Sequence, residues 1–217
     1  MTEPLTPPPT SRLVADFYRR RIEAHGLSYQ AQWGEASDTK SEQRYSALKR
    51  LPILEGDVVV DIGCGVGSLA QYLRVTAPPV TYIGIELTPE FAAAARTLQG
   101  VEVLEIDALR QADQLPAADW YVVFGTLNTR WLLEGMPGTD DEDRVLNFLG
   151  TLFHMSRKGI AATLVTDQVD YLKPQTCNMN PIRVAERLAG MSRAFRLDHD
   201  FTFREFFAAA WRQGDLK

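Results

Sequence analysis

One short segment constrains the fold of this chain more than any other: residues 58–68 read VVVDIGCGVGS. Val58, Val59 and Val60 form a continuous β-branched run, as expected for a strand buried on both faces of a sheet. A glycine-rich turn follows, and a helical pattern begins at Ser68. Glycines in such a turn permit positive φ angles and a close approach of the backbone to a ligand. The segment therefore predicts an α/β fold with a ligand at the end of this strand.

Strand and helix patterns alternate along the rest of the chain, which indicates a mainly parallel sheet with helices on both faces. The last two predicted strands have no helix between them and are expected to pair antiparallel at the sheet edge. We therefore predict a three-layer α/β sandwich whose seven-stranded, mainly parallel sheet ends in an antiparallel strand pair. The predicted strands cover residues 58–60, 81–85, 101–106, 120–124, 160–165, 195–198 and 206–211.

The length of 217 residues and the apolar content of 45% suit a single domain with a full core. Residues 1–10 are rich in proline and are expected to form a flexible tail, followed by one domain over 11–217. Helical spacing of apolar residues predicts helices over 13–22 and 41–51, joined by a polar link. We interpret residues 11–51 as a short helical lid because each helix has one apolar face to bury.

Three acids end three successive predicted strands: Asp61, Glu86 and Asp107. Ser68 stands where a dinucleotide-binding fingerprint begun at Gly63 requires its third glycine, which disfavours a nicotinamide oxidoreductase. An acid just before the turn instead suits a ligand with an ammonium and a sulfonium. Glu86 can accept both hydroxyl protons of a ribose, and Asp107 can accept from an adenine amino group. S-adenosylmethionine (SAM) carries all of these groups.

Several segments resemble those of class I SAM-dependent methyltransferases. DIGCGVG is similar to their motif I, YIGIELTPEF to the second-strand motif and EIDAL to the third-strand motif. VVFGTLN and HDFTFREFFAAAWR resemble the fourth-strand motif and the terminal strands of small members. The resemblance covers residues 56–211 and implies a SAM-dependent methyltransferase.

The resemblance also implies which positions contact the cofactor, with Asp61 at the ammonium end. Arg44 is a further candidate, as a partner of the cofactor carboxylate; a solvated helix arginine is the alternative. The implied contacts are Gly63, Cys64 and Gly65 for the methionine moiety, Glu86 for the ribose, Leu87, Phe91, Asp107 and Ala108 for the adenine, and Phe124 and Gly125 beneath the sulfur.

The acceptor is expected to bind beside the predicted lid and two long loops. Asn128, just past the fourth strand, is a candidate to position the acceptor, and an ordinary turn asparagine is the equal alternative. None of the three histidines has the setting of a catalytic base, and His154 is expected to be packed. The candidate substrate contacts are Tyr18, Trp33, Tyr45, Asn128, Trp131 and Tyr171.

Net charge and composition narrow the class of acceptor and the location. The net charge of −5 disfavours a protein that grips nucleic-acid phosphates. No apolar run is long enough to span a bilayer, no signal peptide is visible, and no residue cluster suggests a metal. Cys64 and Cys177 are expected to be reduced, so we expect a cytoplasmic protein.

We therefore predict methyl transfer to nitrogen or oxygen of a small molecule, in a biosynthetic pathway. Two alternatives stay open at this point: a nucleic-acid methyltransferase with a local basic patch, and a non-catalytic methyltransferase-like partner subunit. The sequence leaves the oligomeric state open.

Overall fold

The computed structural model of the protein describes residues 9–33, 39–200, 202 and 204–213. Most of the predicted tail, residues 1–10, lies outside the described residues. The described chain forms one sheet of eight strands in the order β3-β2-β1-β4-β5-β8-β7, with β6 paired to β5. The strands are β1 Val58–Ile62, β2 Thr81–Ile85, β3 Glu102–Leu104, β4 Trp120–Phe124, β5 Gly159–Thr166, β6 Asn178–Met179, β7 Ala194–Asp198 and β8 Glu205–Trp211.

The pairing confirms the predicted mainly parallel sheet. Strands β3, β2, β1, β4 and β5 are all parallel, whereas β8 lies antiparallel between β5 and β7. The predicted terminal strand pair, β7 and β8, thus joins the rest of the sheet through β8, which pairs with β5. The eighth strand, β6, is only two residues long and pairs with the end of β5. A strand of two residues carries no periodic pattern, so the sequence does not predict it.

Helices cover both faces of the sheet and also precede it. They are α1 Pro9–His25, α2 Tyr29–Trp33, α3 Thr39–Ser46, α4 Ser68–Thr76, α5 Pro89–Arg96, α6 Asp141–Met155 and α7 Pro181–Met191. The helix predicted over 41–51 ends as an α-helix at Ser46 and continues as a 3-10 turn over Ala47–Arg50.

The link predicted to be polar between the first two helices contains α2. Its amino end is capped by the Ser28 hydroxyl, which accepts from the Ala31 backbone N–H at 3.3 Å. Its carbonyls at Gln30 and Ala31 accept from the Arg21 guanidinium of α1 at 2.5 and 2.6 Å. This short helix therefore depends on a neighbouring element, and its own sequence shows no helical periodicity.

Two apolar cores, one on each face of the sheet, fix the strands from both sides. Tyr121 and Phe206 belong to the core under α6 and α7, and Trp120 and Phe207 belong to the core under α3 and α4. Every residue of β5 is buried. The carboxyl ends of the parallel strands consequently lie at one rigid edge, where ligands bind in open α/β sheets.

Candidate cofactor and substrate site

A pocket opens at this edge, between the ends of the parallel strands and the helices α1, α2 and α3. Its empty volume is about 960 Å³, a figure that includes the open space at its mouth. Thirteen predicted site residues line it: Tyr18, Tyr45, Asp61, Gly63, Cys64, Gly65, Glu86, Leu87, Phe91, Asp107, Ala108, Phe124 and Gly125. Nine further wall residues were not predicted: Val14, Gln32, Ile62, Ile85, Ile106, Leu109, Arg110, Thr126 and Leu132.

The glycine turn presents bare backbone to this pocket. Gly63 and Gly65 have φ angles of +76° and +56°, which side chains rarely adopt. A Cβ atom at Gly63 would lie 2.0 Å from Thr126 Oγ1, and one at Gly65 would lie 1.9 Å from Gln32 Oε1. The turn therefore requires glycine at both positions, because neighbouring side chains approach its backbone so closely.

Asp61 is a buried carboxyl on the wall of the pocket, with 4% of its surface exposed. Tyr82 donates a hydrogen bond from its hydroxyl to Asp61 Oδ2 at 2.7 Å. Burial raises the pKa of Asp61 to about 7, the Tyr82 hydrogen bond lowers it, and nearby Glu86 raises it further. The carboxyl thus titrates near neutral pH and gains from a cation brought next to it.

Glu86 lies at the end of β2 with both carboxylate oxygens hydrogen-bonded to backbone. Oε2 accepts from the Gly65 N–H at 2.9 Å and Oε1 from the Thr88 N–H at 2.7 Å. Burial raises the pKa of Glu86, and these backbone hydrogen bonds oppose the increase. Each oxygen has a second lone pair, so a braced carboxylate can still accept from two ligand hydroxyls.

Asp107, past the end of β3, is paired with a residue that the sequence analysis missed. Arg110 Nη1 lies 3.2 Å from Asp107 Oδ2, and Arg110 Nη2 donates to the carbonyls of Leu132 and Glu134 at 3.0 and 2.8 Å. Arg110 thereby fastens Asp107 to the segment after β4. An arginine three residues from an acid in a turn is a common pattern, so the sequence alone did not indicate Arg110 as a residue of the site.

The predicted lid supplies one side of the pocket. Tyr18 of α1 packs edge-on against Phe91 with ring centroids 5.6 Å apart, and burial raises the pKa of Tyr18 to about 12. Tyr45 of α3 packs against Phe124 at 5.7 Å. Gln32 of α2 accepts from the Val66 N–H of the glycine turn at 3.2 Å. All three N-terminal helices therefore contribute wall residues.

Arg44, the predicted partner of the cofactor carboxylate, forms a buried ion pair within the protein. Arg44 Nε and Nη2 donate to the two carboxylate oxygens of Glu205 in β8 at 2.5 and 2.9 Å. Only 4% of the surface of Arg44 is exposed, so it is not a solvated helix residue. The partner is 161 residues away in the chain, a separation that sequence spacing does not reveal.

Three other predicted substrate contacts, Asn128, Trp131 and Tyr171, are not among the described wall residues. Asn128 Oδ1 accepts from the Val165 N–H at 3.2 Å, which ties the turn after β4 to β5. Trp131 packs against Phe17 of α1 at 5.3 Å, and Tyr171 is 65% exposed in its loop. Trp33 ends α2, and its side chain lies outside the described residues. The roles of Asn128, Trp131 and Tyr171 as acceptor contacts stay predictions.

None of the three histidines is among the residues that line this pocket. The expectation that His154 is packed is wrong, since its side chain is exposed on α6. Among the described residues, no cluster of three or more His, Cys, Asp or Glu side chains is placed to hold a metal ion. No helix in the described part of the chain is both long enough and apolar enough to cross a membrane.

The chain resembles known proteins in sequence and in fold. No protein-family model matches the chain. A curated relative, the trans-aconitate 2-methyltransferase of Azoarcus sp. (strain BH72), is 27% identical over 186 residues, which is 85% of this chain and 69% of that protein.

Solved methyltransferase structures share the architecture over nearly the whole chain. The SAM-bound magnesium protoporphyrin IX methyltransferase ChlM of Synechocystis PCC 6803 aligns with a TM-score of 0.63 and 14% identity, covering 98% of this chain and all of that chain. The complex of DhpI with S-adenosylhomocysteine (SAH) aligns with a TM-score of 0.65 and 18% identity, covering 97% of this chain and all of that one. The chain therefore has the fold of class I SAM-dependent methyltransferases.

Proposed function

We propose that this protein binds SAM in the pocket and transfers its methyl group to nitrogen or oxygen of a small molecule. The observation that carries the proposal is the convergence of Asp61, Glu86 and Asp107 on one pocket beside the glycine turn. The three acids come from the ends of three successive parallel strands, and each is at least nine-tenths buried. Three buried carboxylates favour a cationic ligand with several donor groups.

The residues present fit SAM group by group. Asp61 would accept from the ammonium, Glu86 from the ribose hydroxyls and Asp107 from the adenine amino group. Gly63 and Gly65 line the pocket and would contact the methionine chain through their bare backbone. The acids and glycines thus form a complementary cradle.

When bound, SAM supplies an electrophilic methyl group on a sulfonium that an acceptor lone pair can attack in line. The contribution of the chain is to position the two reactants and to exclude water. Tyr18, Tyr45 and Phe124 give the pocket aromatic walls, and Gly125 lines it beside Phe124. An amine acceptor needs only to be neutral under this scheme, and an acidic oxygen acceptor needs only to be ionised.

A small acceptor is supported by the enclosed pocket and by the sequence relative. Residues of α1, α2 and α3 line the pocket together with the strand ends, which leaves a concave site for a small ligand. The relative from Azoarcus is named for trans-aconitate, a small molecule. The net charge of −5 also disfavours a nucleic-acid substrate.

The proposal is tested by calorimetry with SAM and with NAD, followed by detection of SAH after incubation with candidate acceptors. Trans-aconitate is the first acceptor to try. We expect binding of SAM in the micromolar range and none of NAD, and SAH formation that depends on an acceptor. Binding of NAD without binding of SAM would contradict the proposal.

A further inference from the structure

Tyr82 is a buried residue of β2 that neither the sequence analysis nor the proposed function uses. It is 7% exposed, and its hydroxyl donates to Asp61 Oδ2 at 2.7 Å. Tyr82 does not line the pocket, whereas Asp61 does. Tyr82 therefore stands behind a wall residue and can reach a ligand only through it.

The sheet register explains why this contact forms. Asp61 lies opposite Gly84, and Tyr82 lies opposite Val59, so Tyr82 is the diagonal neighbour of Asp61 on the same face. Gly84 has no side chain, and Cys64 Sγ fills the space, only 2.5 Å from where a Cβ would stand. The tyrosine ring is thus held between strand and turn with its hydroxyl directed at the carboxylate.

The groups around this pair make Tyr82 a donor. Tyr45 of α3 and Cys64 of the turn face the phenol together with Asp61, and Glu86 also faces Asp61. Burial and these neighbours raise the pKa of Tyr82 well above its ordinary value, so its hydroxyl keeps its proton. A phenol has one proton to give, and here it goes to one oxygen of Asp61.

We propose that Tyr82 is a positioning residue that acts through Asp61, holding one carboxylate oxygen so that the other is presented to the ammonium end of SAM. The inference rests on the proposed function, since it assigns a partner to the ammonium. Because the hydrogen bond favours the ionised carboxylate, Tyr82 also lowers the pH above which the site binds tightly.

The experiment measures the affinity of Tyr82→Phe for SAM and for 5′-methylthioadenosine, which lacks the amino-acid end, from pH 5.5 to 9. We expect the affinity of the wild type for SAM to rise with pH through about 7 and then to level off, until the SAM ammonium itself loses its proton above about pH 8. In Tyr82→Phe, SAM binding should be about tenfold weaker at pH 7, and the rise should be shifted to higher pH. Binding of 5′-methylthioadenosine should change less than about twofold.

Tyr121→Phe is the matched control, because it also removes a tyrosine hydroxyl that donates at 2.7 Å, to the Pro116 carbonyl in the other core. It should leave both affinities unchanged. In the Asp61→Asn background, Tyr82→Phe should have no further effect on SAM affinity. Site-specific 3-fluorotyrosine at position 82 is a stronger hydrogen-bond donor of nearly the same shape, so it should shift the rise in SAM affinity to lower pH. This substitution provides the test if Tyr82→Phe does not fold.

Two results would overturn the inference: an unchanged pH profile for SAM in Tyr82→Phe, or equal weakening of SAM and 5′-methylthioadenosine. In both cases the wild type still binds SAM, so the proposed function survives. A wild-type protein that binds neither ligand contradicts the proposed function instead.

Discussion

At the scale of single residues, burial of an acid in the pocket lowers the stability of the folded protein at neutral pH, because the ionised carboxylate is lost from water. Asp61 has a pKa of about 7 in the folded protein, mainly because of burial, against an ordinary value of 3.8. The folded state therefore holds this proton more tightly than the unfolded state does. The resulting stability is present at low pH and is lost as the pH rises from about 4 through 7.

Asp61→Asn should accordingly stabilise the protein at pH 8 while it weakens SAM binding. The amide avoids the cost of a buried charge and still accepts from Tyr82. We expect a gain in unfolding free energy on the order of 1–4 kcal/mol at pH 8, and a smaller gain at pH 5. Urea unfolding at both pH values measures the gain. A loss of stability at pH 8 would show that the ionised carboxylate is better compensated than its burial indicates.

Glu86→Ala should weaken SAM binding through the loss of hydrogen bonds to a charged acceptor. The expected cost is about 1.5–3 kcal/mol, or roughly ten- to a hundredfold in the dissociation constant from calorimetry. Glu105→Ala is the matched control, since Glu105 is exposed and pairs only with Arg96 in the contacts that the structure shows. Equal dissociation constants for Glu86→Ala and the wild type would reject the ribose role.

At the scale of elements, the N-terminal helices form a wall as well as a cover. Val14, Tyr18 and Gln32 contribute to the pocket, and Arg19 of α1 pairs with Glu90 of α5 at 2.8 Å. Removal of residues 1–33 should therefore weaken SAM binding at least about tenfold, because ligand contacts and water exclusion are lost. The cut spares Tyr45, Leu48 and Arg44, which are packed into the sheet domain.

Removal of residues 1–8 is the control for this truncation and should leave SAM affinity unchanged. Calorimetry gives the affinity, and the melting temperature reports whether the sheet stays folded. If removal of residues 1–33 leaves the dissociation constant unchanged, these helices do not act as a lid.

At this scale, the sequence predicts well those elements that a local pattern of residue types marks. The bounds of β2 and β4 agree with the predicted residues because β-branched and aromatic residues mark them. The acids at the strand ends were also predictable, since the parallel order places them at one edge. Gln32, Tyr82 and Arg44 were not, because each acts through a partner that only the folded chain brings near.

At the scale of the whole molecule, the Arg44–Glu205 pair joins the N-terminal segment to the last strand. Both side chains are at most 9% exposed. Arg44→Met leaves a buried carboxylate without this partner and should cost roughly 3–5 kcal/mol of unfolding free energy. Arg44→Met combined with Glu205→Leu should recover most of that loss.

The exposed pair of Arg50 and Asp198 offers the comparison, because Arg50 is 42% exposed. Arg50→Ala should cost less than about 1 kcal/mol. Denaturant unfolding of the four proteins, wild type included, gives the values. Similar small losses for Arg44→Met and Arg50→Ala would mean that the buried pair does not hold the two ends of the chain together.

The most direct test of the proposed cofactor site is a crystal structure of the protein grown with SAM. We expect the ammonium beside Asp61, the ribose hydroxyls on Glu86 and the adenine amino group toward Asp107, with the sulfonium methyl above Phe124 and Gly125. A ligand bound away from these acids, or an adenine that lies against the glycine turn with the ribose turned from Glu86, would contradict it.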